Sequence, residues 1–234
     1  MISIVLPVYN EELILKENTL KVFDFCSSNL PGQWQIIISD NASTDKTEQI
    51  AKELSRAHEQ IKYKKINSKG KGYGVIEAWQ AYPSQIYVYM DADLATDIKA
   101  LPDLIDNINK GNHIVTGSRY HQSAKVERSF RRKVFSRTLR FILKILFNLS
   151  VKDAPCGFKA VNQQVVSEIL PSIRNKTWFF DTEMLILSQR ARLKIKEIPV
   201  IWQESPNAAR KSKVSTFTVI KDYITNIISI YGRK

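Results

Sequence analysis

Cysteine and histidine are scarce in this sequence, and each scarcity removes a class of function. Two cysteines, Cys26 and Cys156, cannot build a disulfide framework, so a reducing compartment is expected. His58, His113 and His121 show no metal-ligand spacing and no CxxC pair occurs, which excludes a zinc site of the usual kind. Glycine and proline number eight each in 234 residues, too few for a low-complexity or linker-rich chain. No uncharged apolar run reaches the ~18 residues that suggest a membrane span. Met1–Pro7 runs straight into a strand-like segment without the charged start of a signal peptide, so none is expected. The length fits one domain, soluble or peripheral, with at most an appendage.

Basic charge, by contrast, is in excess. Lys and Arg number 35 against 23 Asp and Glu, a formal net charge of +12 that favours anionic partners: nucleic acid, acidic lipid or a phosphorylated substrate. Arg119, Lys125, Arg128, Arg131, Arg132, Lys133, Arg137, Arg140 and Lys144 stand against Glu127 alone. That stretch is a polarised basic segment.

The first half alternates strand-like and helix-like pieces. Strands are predicted at Ile2–Pro7, Ile36–Ser39, Ile61–Ile66, Ile86–Met90 and His113–Gly117. Helices are predicted at Glu11–Ser28, from a Thr44-Asp45 cap to Ala57, at Val75–Ala81 and at Ile98–Asn109. This is the pattern of an α/β fold, a mostly parallel central sheet with helices on both faces. The second half reads as a turn-rich Asp153–Lys159, a helix over Gln163–Leu170 and a helix capped by Asp181. A strand at Ile195–Trp202 and a C-terminal amphipathic helix at Thr216–Tyr231 complete it.

Ligands of such sheets bind at the carboxyl ends of strands, and four of those ends carry unusual residues: Pro7-Val8-Tyr9-Asn10-Glu11, Asp40-Asn41-Ala42-Ser43-Thr44-Asp45, Lys69-Gly70-Lys71-Gly72-Tyr73-Gly74 and Asp91-Ala92-Asp93. Any one of them alone is also what a turn or helix cap would carry. Asp91 and Asp93 are the most informative. Extended alternation points both carboxylates the same way, where they repel unless a cation lies between them or one is protonated. Oxygen ligands of this kind suit Mg²⁺ or Mn²⁺ with positions left for diphosphate oxygens.

VLPVYNEE, SDNASTDKT, KGKGYG, YMDADLATD and VTGSRY, in this order, resemble family 2 glycosyltransferases of GT-A fold over nearly the whole chain. RRKVFSR, DAPCGFKAV, FFDTEML, IKEIPVIW and SKV resemble the dolichyl-phosphate glucose and mannose synthase branch, the cysteine of DAPCGFK leaning toward glucose. The resemblance implies metal-dependent, inverting transfer of a hexose from a nucleotide sugar, UDP-glucose before GDP-mannose, to a polyprenyl or dolichyl phosphate. It implies a donor site of Pro7, Tyr9, Glu11, Asp40, Gly72, Asp91, Ala92, Asp93 and Lys213, with Asp91 and Asp93 also the metal ligands. Arg119, Arg132 and Ser136 would face phosphate at the reacting centre. Ala95 departs from the pattern, since some mannose synthases place a metal-binding glutamine there.

Residues 1–214 are read as the GT-A catalytic domain and 215–234 as the amphipathic helix. A cytoplasmic protein held peripherally on the membrane surface is expected, because a polyprenyl chain leaves a bilayer at a cost of ~0.8 kcal/mol per CH₂. The reading leaves room for a separate membrane-anchoring partner protein. Two alternatives remain at this stage. A polysaccharide synthase acting on a sugar hydroxyl normally carries QxxRW, absent from Gln189-Arg190-Ala191-Arg192-Leu193. A nucleic-acid-binding module is not expected, since no helix-turn-helix, zinc finger or RNP motif is present.

Overall fold

The computed structural model describes residues 1–120, 125–126, 130–203 and 216–233, with side chains outside the description at 125–126, 130–136 and 216–218. Strands are β1 (Ile2–Val8), β2 (Trp34–Asn41), β3 (Ile61–Ile66), β4 (Ile86–Met90), β5 (Ile114–Ser118), β6 (Lys125–Val126), β7 (Phe158–Asn162), β8 (Ile195–Pro199) and β9 (Ile201–Trp202). Helices are α1 (Leu15–Asn29), α2 (Thr47–Ala57), α3 (Lys71–Ala81), α4 (Leu101–Asn109), α5 (Phe130–Phe147), α6 (Phe180–Arg190) and α7 (Thr216–Tyr231). Seven strands form one sheet in the order β3-β2-β1-β4-β7-β5-β8, parallel except for β7, and β6 pairs with β9 apart from it.

Strand alternation divides the core between the two faces of the sheet. Ile4, Leu6, Ile36, Ile38, Val88 and Met90 point toward α1, α2 and α4, where Leu15, Val22, Leu54, Leu101 and Leu104 meet them. Val5, Ile37, Tyr87 and Tyr89 point the other way, against Trp79 of α3, Leu139 and Leu143 of α5, Phe180 and Leu185 of α6, and Tyr223, Ile227 and Ile230 of α7. Each such buried aliphatic contributes about 1.5–3 kcal/mol over its exposed state. Trp79, fully buried, would cost about 3–5 kcal/mol as alanine. Pro7 is tolerated inside β1 because β4 pairs only as far as Val5, leaving β2 as the one neighbour there.

Several expectations change. Phe158–Asn162, read as the tail of a turn and the approach to a helix, is β7, wedged antiparallel between β4 and β5. The helix expected after it is a π-helical turn, Val165–Ile169, followed by a 3₁₀ turn at Leu170–Ser172. The glycine-rich piece is no loop: α3 starts at Lys71, after Gly70 at φ +147°. Asp181 lies inside α6 and is buried, as is Glu183, so Asp181 is not the helix cap expected of it. Val200 breaks the last predicted strand into β8 and β9. The expected amphipathic helix α7 does not bury all its apolar residues, for Ile227 is buried while Ile224 and Tyr231 are exposed.

Candidate active site

The loops after β1 and β2 are stitched to one another. Asn10, at φ +55°, donates its N–H to Ser43 Oγ (2.8 Å) and accepts from the Thr44 N–H (2.7 Å), while the Glu11 N–H donates to Thr47 Oγ1 (2.8 Å). Asp45 accepts the Thr47 N–H at 2.9 Å and so fixes the start of α2. These bonds bring Pro7, Tyr9, Glu11 and Asp40 to one end of the sheet. Asp40 is fully buried, taking the Ser43 N–H (3.0 Å) on Oδ1 and the Tyr63 hydroxyl (3.3 Å) on Oδ2. Burial, and then the Asp40 charge, push the Tyr63 phenol above its ordinary range, which keeps it a donor. Across the same end, Lys69 Nζ donates to Tyr9 Oη at 3.0 Å and so bridges the loops after β1 and β3.

Asp91 and Asp93 do share the end of β4, but not as alternate residues of an extended strand. The chain turns there. The Leu94 N–H closes on the Asp91 carbonyl (3.1 Å), Leu94 takes φ +52°, and Asp93 Oδ1 accepts the Ala95 N–H (3.1 Å). The Ala92 carbonyl is held by Asn18 Nδ2 at 2.8 Å. Gly157 packs directly under Asp91, its carbonyl taking the Asp91 N–H (3.1 Å), and a Cβ on Gly157 would overlap Asp91 Oδ2.

A cation of the chain itself already meets this carboxylate. Lys71 Nζ lies 2.6 Å from Asp91 Oδ1 and 5.1 Å from the Tyr89 ring centre. Burial pulls the Lys71 ammonium down, but Asp91, then Asp181 and Asp93, outweigh that and leave it raised and charged. The site therefore suits positive charge, which is the fit required of a hard divalent ion. Among the described residues no third His, Cys, Asp or Glu joins the pair to complete a metal cluster. A metal here would draw further oxygens from a bound diphosphate and water.

Gly72, expected in the donor site, also has a packing task. Its N–H donates to the Thr177 carbonyl (3.2 Å), and a Cβ would sit 2.7 Å from the Lys176 carbonyl carbon and 2.8 Å from Phe180 Cβ. Close packing on the segment after β7 accounts for this glycine.

Arg119, after β5, makes three bonds to one carboxylate: its N–H and Nε to Asp153 Oδ2 (2.8 and 2.7 Å) and Nη2 to Oδ1 (2.8 Å). Burial lowers its pKa, Asp153 more than reverses this, and the guanidinium stays charged beside the Trp202 ring, 5.8 Å away. Asp153 is in turn fixed through its own N–H on Glu197 Oε1 (3.0 Å). Behind the loop, the fully buried Lys159 donates to the Ala154 carbonyl (2.8 Å), the Cys156 carbonyl, Tyr89 Oη (3.2 Å) and Asp181 Oδ2 (3.2 Å). Lys71, Asp153, Gly157 and Lys159 were not foreseen as site residues. The Asp-x-Pro-x-Gly pattern was the available signal for two of them. Arg132 and Ser136 lie on α5 with side chains outside the described residues, and Lys213 is outside them entirely.

The glycosyl transferase family 2 profile matches residues 3–170. The chain belongs to glycosyl transferase family 2. This family 2 chain is 32% identical over 206 residues to glycosyltransferase AglD of Haloferax volcanii, covering 86% of itself but 33% of AglD. It is 27% identical over 243 residues to the dolichyl-phosphate beta-glucosyltransferase of Saccharomyces cerevisiae, covering 95% of itself and 73% of that protein. Glucosyl-3-phosphoglycerate synthase of Mycobacterium tuberculosis, solved with Mn²⁺, UDP and glucosyl-3-phosphoglycerate, shares the fold at a TM-score of 0.72 and 18% identity, covering 99% of this chain and 79% of that one. The family 2 chain thus has the expected GT-A-like architecture. Among the described residues, no helix is long and apolar enough to cross a membrane.

Proposed function

We propose that this chain transfers a hexose from a nucleotide sugar to a polyprenyl or dolichyl phosphate. The observation that carries the reading is the end of β4, where Asp91 and Asp93 stand beside Lys71, with Arg119 locked in place just after β5. Cations gathered beside a carboxylate pair suit the meeting of two phosphorylated substrates. The yeast relative's name points to the same lipid acceptor.

Pro7, Tyr9, Glu11 and Asp40 would enclose base and ribose, with the Ala92 backbone beside them. Lys69 and Lys71 would pass from Tyr9 and Asp91 to the diphosphate. Arg119, Arg132 and Ser136 would hold the acceptor phosphate, and Lys213 would close over the donor. An acceptor phosphate oxygen attacks the anomeric carbon from the face opposite the leaving group, the bond to the diphosphate oxygen breaks, and the nucleoside diphosphate departs with inversion. A lipid monophosphate, with its second pKa near ~6, needs no general base. The burial of Asp181 and Glu183 agrees, since both carboxylates are committed to Lys159 and Arg233. Mg²⁺ or Mn²⁺ on Asp91 and Asp93 would neutralise charge on the leaving diphosphate; the Mn²⁺ of the mycobacterial complex supports a divalent ion.

Peripheral attachment to the cytoplasmic membrane face belongs to this reading. Phe141 and Ile145 of α5 are 65% and 62% exposed, and Ile224, Ile228 and Tyr231 of α7 are 55%, 69% and 61% exposed. Tyr231 meets Phe147 ring to ring at 6.2 Å, so the two helices adjoin. Arg137, Arg140 and Lys144 are exposed on α5, a composition suited to an anionic lipid surface. We take 1–214 as the catalytic unit and 215–234 as the helix that serves this attachment. UDP-glucose is the favoured donor and GDP-mannose the next, on the cysteine-containing DAPCGFK segment.

The deciding experiment offers a panel of sugar nucleotides with a short polyprenyl phosphate in vesicles and weighs the lipid. A hexosyl phospholipid is expected. Transfer only to sugar hydroxyls, or none from any donor, overturns the proposal.

A further inference from the structure

We infer that Asp222, on the C-terminal helix, is a positioning residue for the donor cleft, acting through residues 175–178. The inference rests on reading the Lys71–Asp91 cleft as the donor site. Asp222 is the acidic residue in the buried flank of α7, next to Tyr223. Both of its oxygens are used. Oδ2 accepts from Thr177 Oγ1 (2.8 Å) and the Trp178 N–H (3.2 Å); Oδ1 accepts from Asn175 Nδ2 (3.2 Å) and Asn226 Nδ2 (2.9 Å). Asn175 adds an internal tie by accepting the Thr177 N–H at 2.9 Å.

The segment held in this way presents its carbonyls to the start of α3. The Tyr73 N–H donates to Lys176 O at 2.9 Å and the Gly72 N–H to Thr177 O at 3.2 Å. Helix starts leave their first N–H groups without intrahelical partners, and here a neighbouring loop supplies the acceptors. The fit is tight, since a Cβ on Gly70 would stand 2.6 Å from Lys176 O and one on Gly72 2.8 Å from it. Lys71 lies between those two glycines, and its ammonium is the group on Asp91. Asp222 therefore fixes the backbone from which Lys71 reaches the β4 end, although it lies on a different helix and touches neither residue.

A charge with four hydrogen bonds in a partly buried place resists small rearrangements of the loop, because each lost bond leaves a desolvated donor. With Asp222 removed, residues 175–178 lose the tie to α7, the start of α3 loosens and Lys71 leaves its place. The acceptor phosphate, assigned to Arg119, Arg132 and Ser136, is not involved.

The test compares Asp222→Ala, Asp222→Asn and Ile227→Ala in the full chain. Ile227 is a buried α7 residue without a bond to the loop, and its truncation controls for weakened helix packing. Amide exchange at residues 71–74 is read first, since it needs no ligand. Asp222→Ala should speed exchange there about tenfold. It should weaken UDP binding with Mn²⁺ about three- to thirtyfold and leave KM for the lipid phosphate unchanged. Asp222→Asn, whose one oxygen can still accept from Thr177 and Trp178 while its amide meets the Asn175 and Asn226 donors, should fall between Asp222→Ala and the parent in both. Ile227→Ala should lower Tm without either effect. Unaltered exchange at 71–74 in Asp222→Ala overturns the inference, as does an equal change in Ile227→Ala. If the parent binds no UDP while Asp222→Ala still speeds exchange, the relay holds and the donor-site reading fails.

Discussion

Arg119 and Asp153 form a three-point contact in which the backbone N–H, Nε and Nη2 of the arginine all reach one carboxylate. The carboxylate is buried and the arginine side chain is 13% exposed, so the pair aims the remaining guanidinium edge with little freedom. Breaking a buried pair from one side costs about 3–5 kcal/mol. Asp153→Ala should therefore lower Tm by roughly 10 °C, at about 2–4 °C per kcal/mol for a chain of this size. Misplacing Arg119 should lower turnover about 100-fold. A calorimetric scan and an initial-rate assay check this, and a variant with unchanged Tm would remove the pair from the account.

Gly157 and Asp91 give a second expectation. Gly157→Ala places a methyl where Asp91 Oδ2 lies, so the carboxylate must turn away. Turnover should fall about 100-fold, while circular dichroism stays that of the parent. Asp91→Ala and Asp93→Ala should abolish transfer, and a chelator should do so reversibly. Full activity in chelator would exclude the divalent ion.

Lys71 on Asp91 implies competition between ammonium and metal. In Lys71→Met, Mn²⁺ should bind about tenfold more tightly without nucleotide, and the sugar nucleotide about tenfold less tightly, each a change of ~1.4 kcal/mol. Titration calorimetry with and without UDP separates the two. Parallel changes of the same sign would show that Lys71 does not move between carboxylate and diphosphate.

The exposed apolar residues of α5 and α7 should govern vesicle binding. Ile224→Lys/Ile228→Lys should reduce cosedimentation with anionic vesicles at any salt concentration. Arg137→Glu/Arg140→Glu should reduce it mainly at low salt, where surface charge is least screened. Binding by both variants equal to the parent would leave these helices without a membrane role.

Burial pushes the thiols up, Cys26 to about 12 and Cys156 to about 11. Neither should react with a disulfide reagent in the native protein at pH 8, and both should react once it is unfolded. The unfolded chain releases these protons first, near ~8.5. Stability linked to the thiols is thus complete below that pH and falls as pH rises toward the folded values. Rapid labelling of either cysteine in the native state would contradict their burial.

The strand ends of the first half were legible because parallel strands there are continuous apolar runs broken by polar loops. Asp91 and Asp93 stood out against Ile86–Met90 for that reason. The second half hid its functional parts inside ordinary signals. Lys159 sits at the second position of β7 and made a buried strand look like a loop; only the partners Asp181, Tyr89 and two carbonyls explain an ammonium in the core. Asp181 resembled a helix cap until its neighbours were known. The packing of Gly72 was hidden because the sequence cannot show Lys176 and Phe180 pressing on it. Arg132, Ser136 and Lys213 rest on the family resemblance alone.

The antiparallel wedge of β7 also bears on how the chain is made. Strands β4 and β5 leave the ribosome first, and each keeps an unpaired edge until Phe158–Asn162 follows. At about 5–20 residues per second several seconds pass in that state. Open apolar edges are templates for aggregation, so the nascent chain calls for chaperone cover in that interval. Slower translation before Phe158 would prolong the hazard, whereas release from the ribosome after Asn162 would find the sheet already closed at its centre.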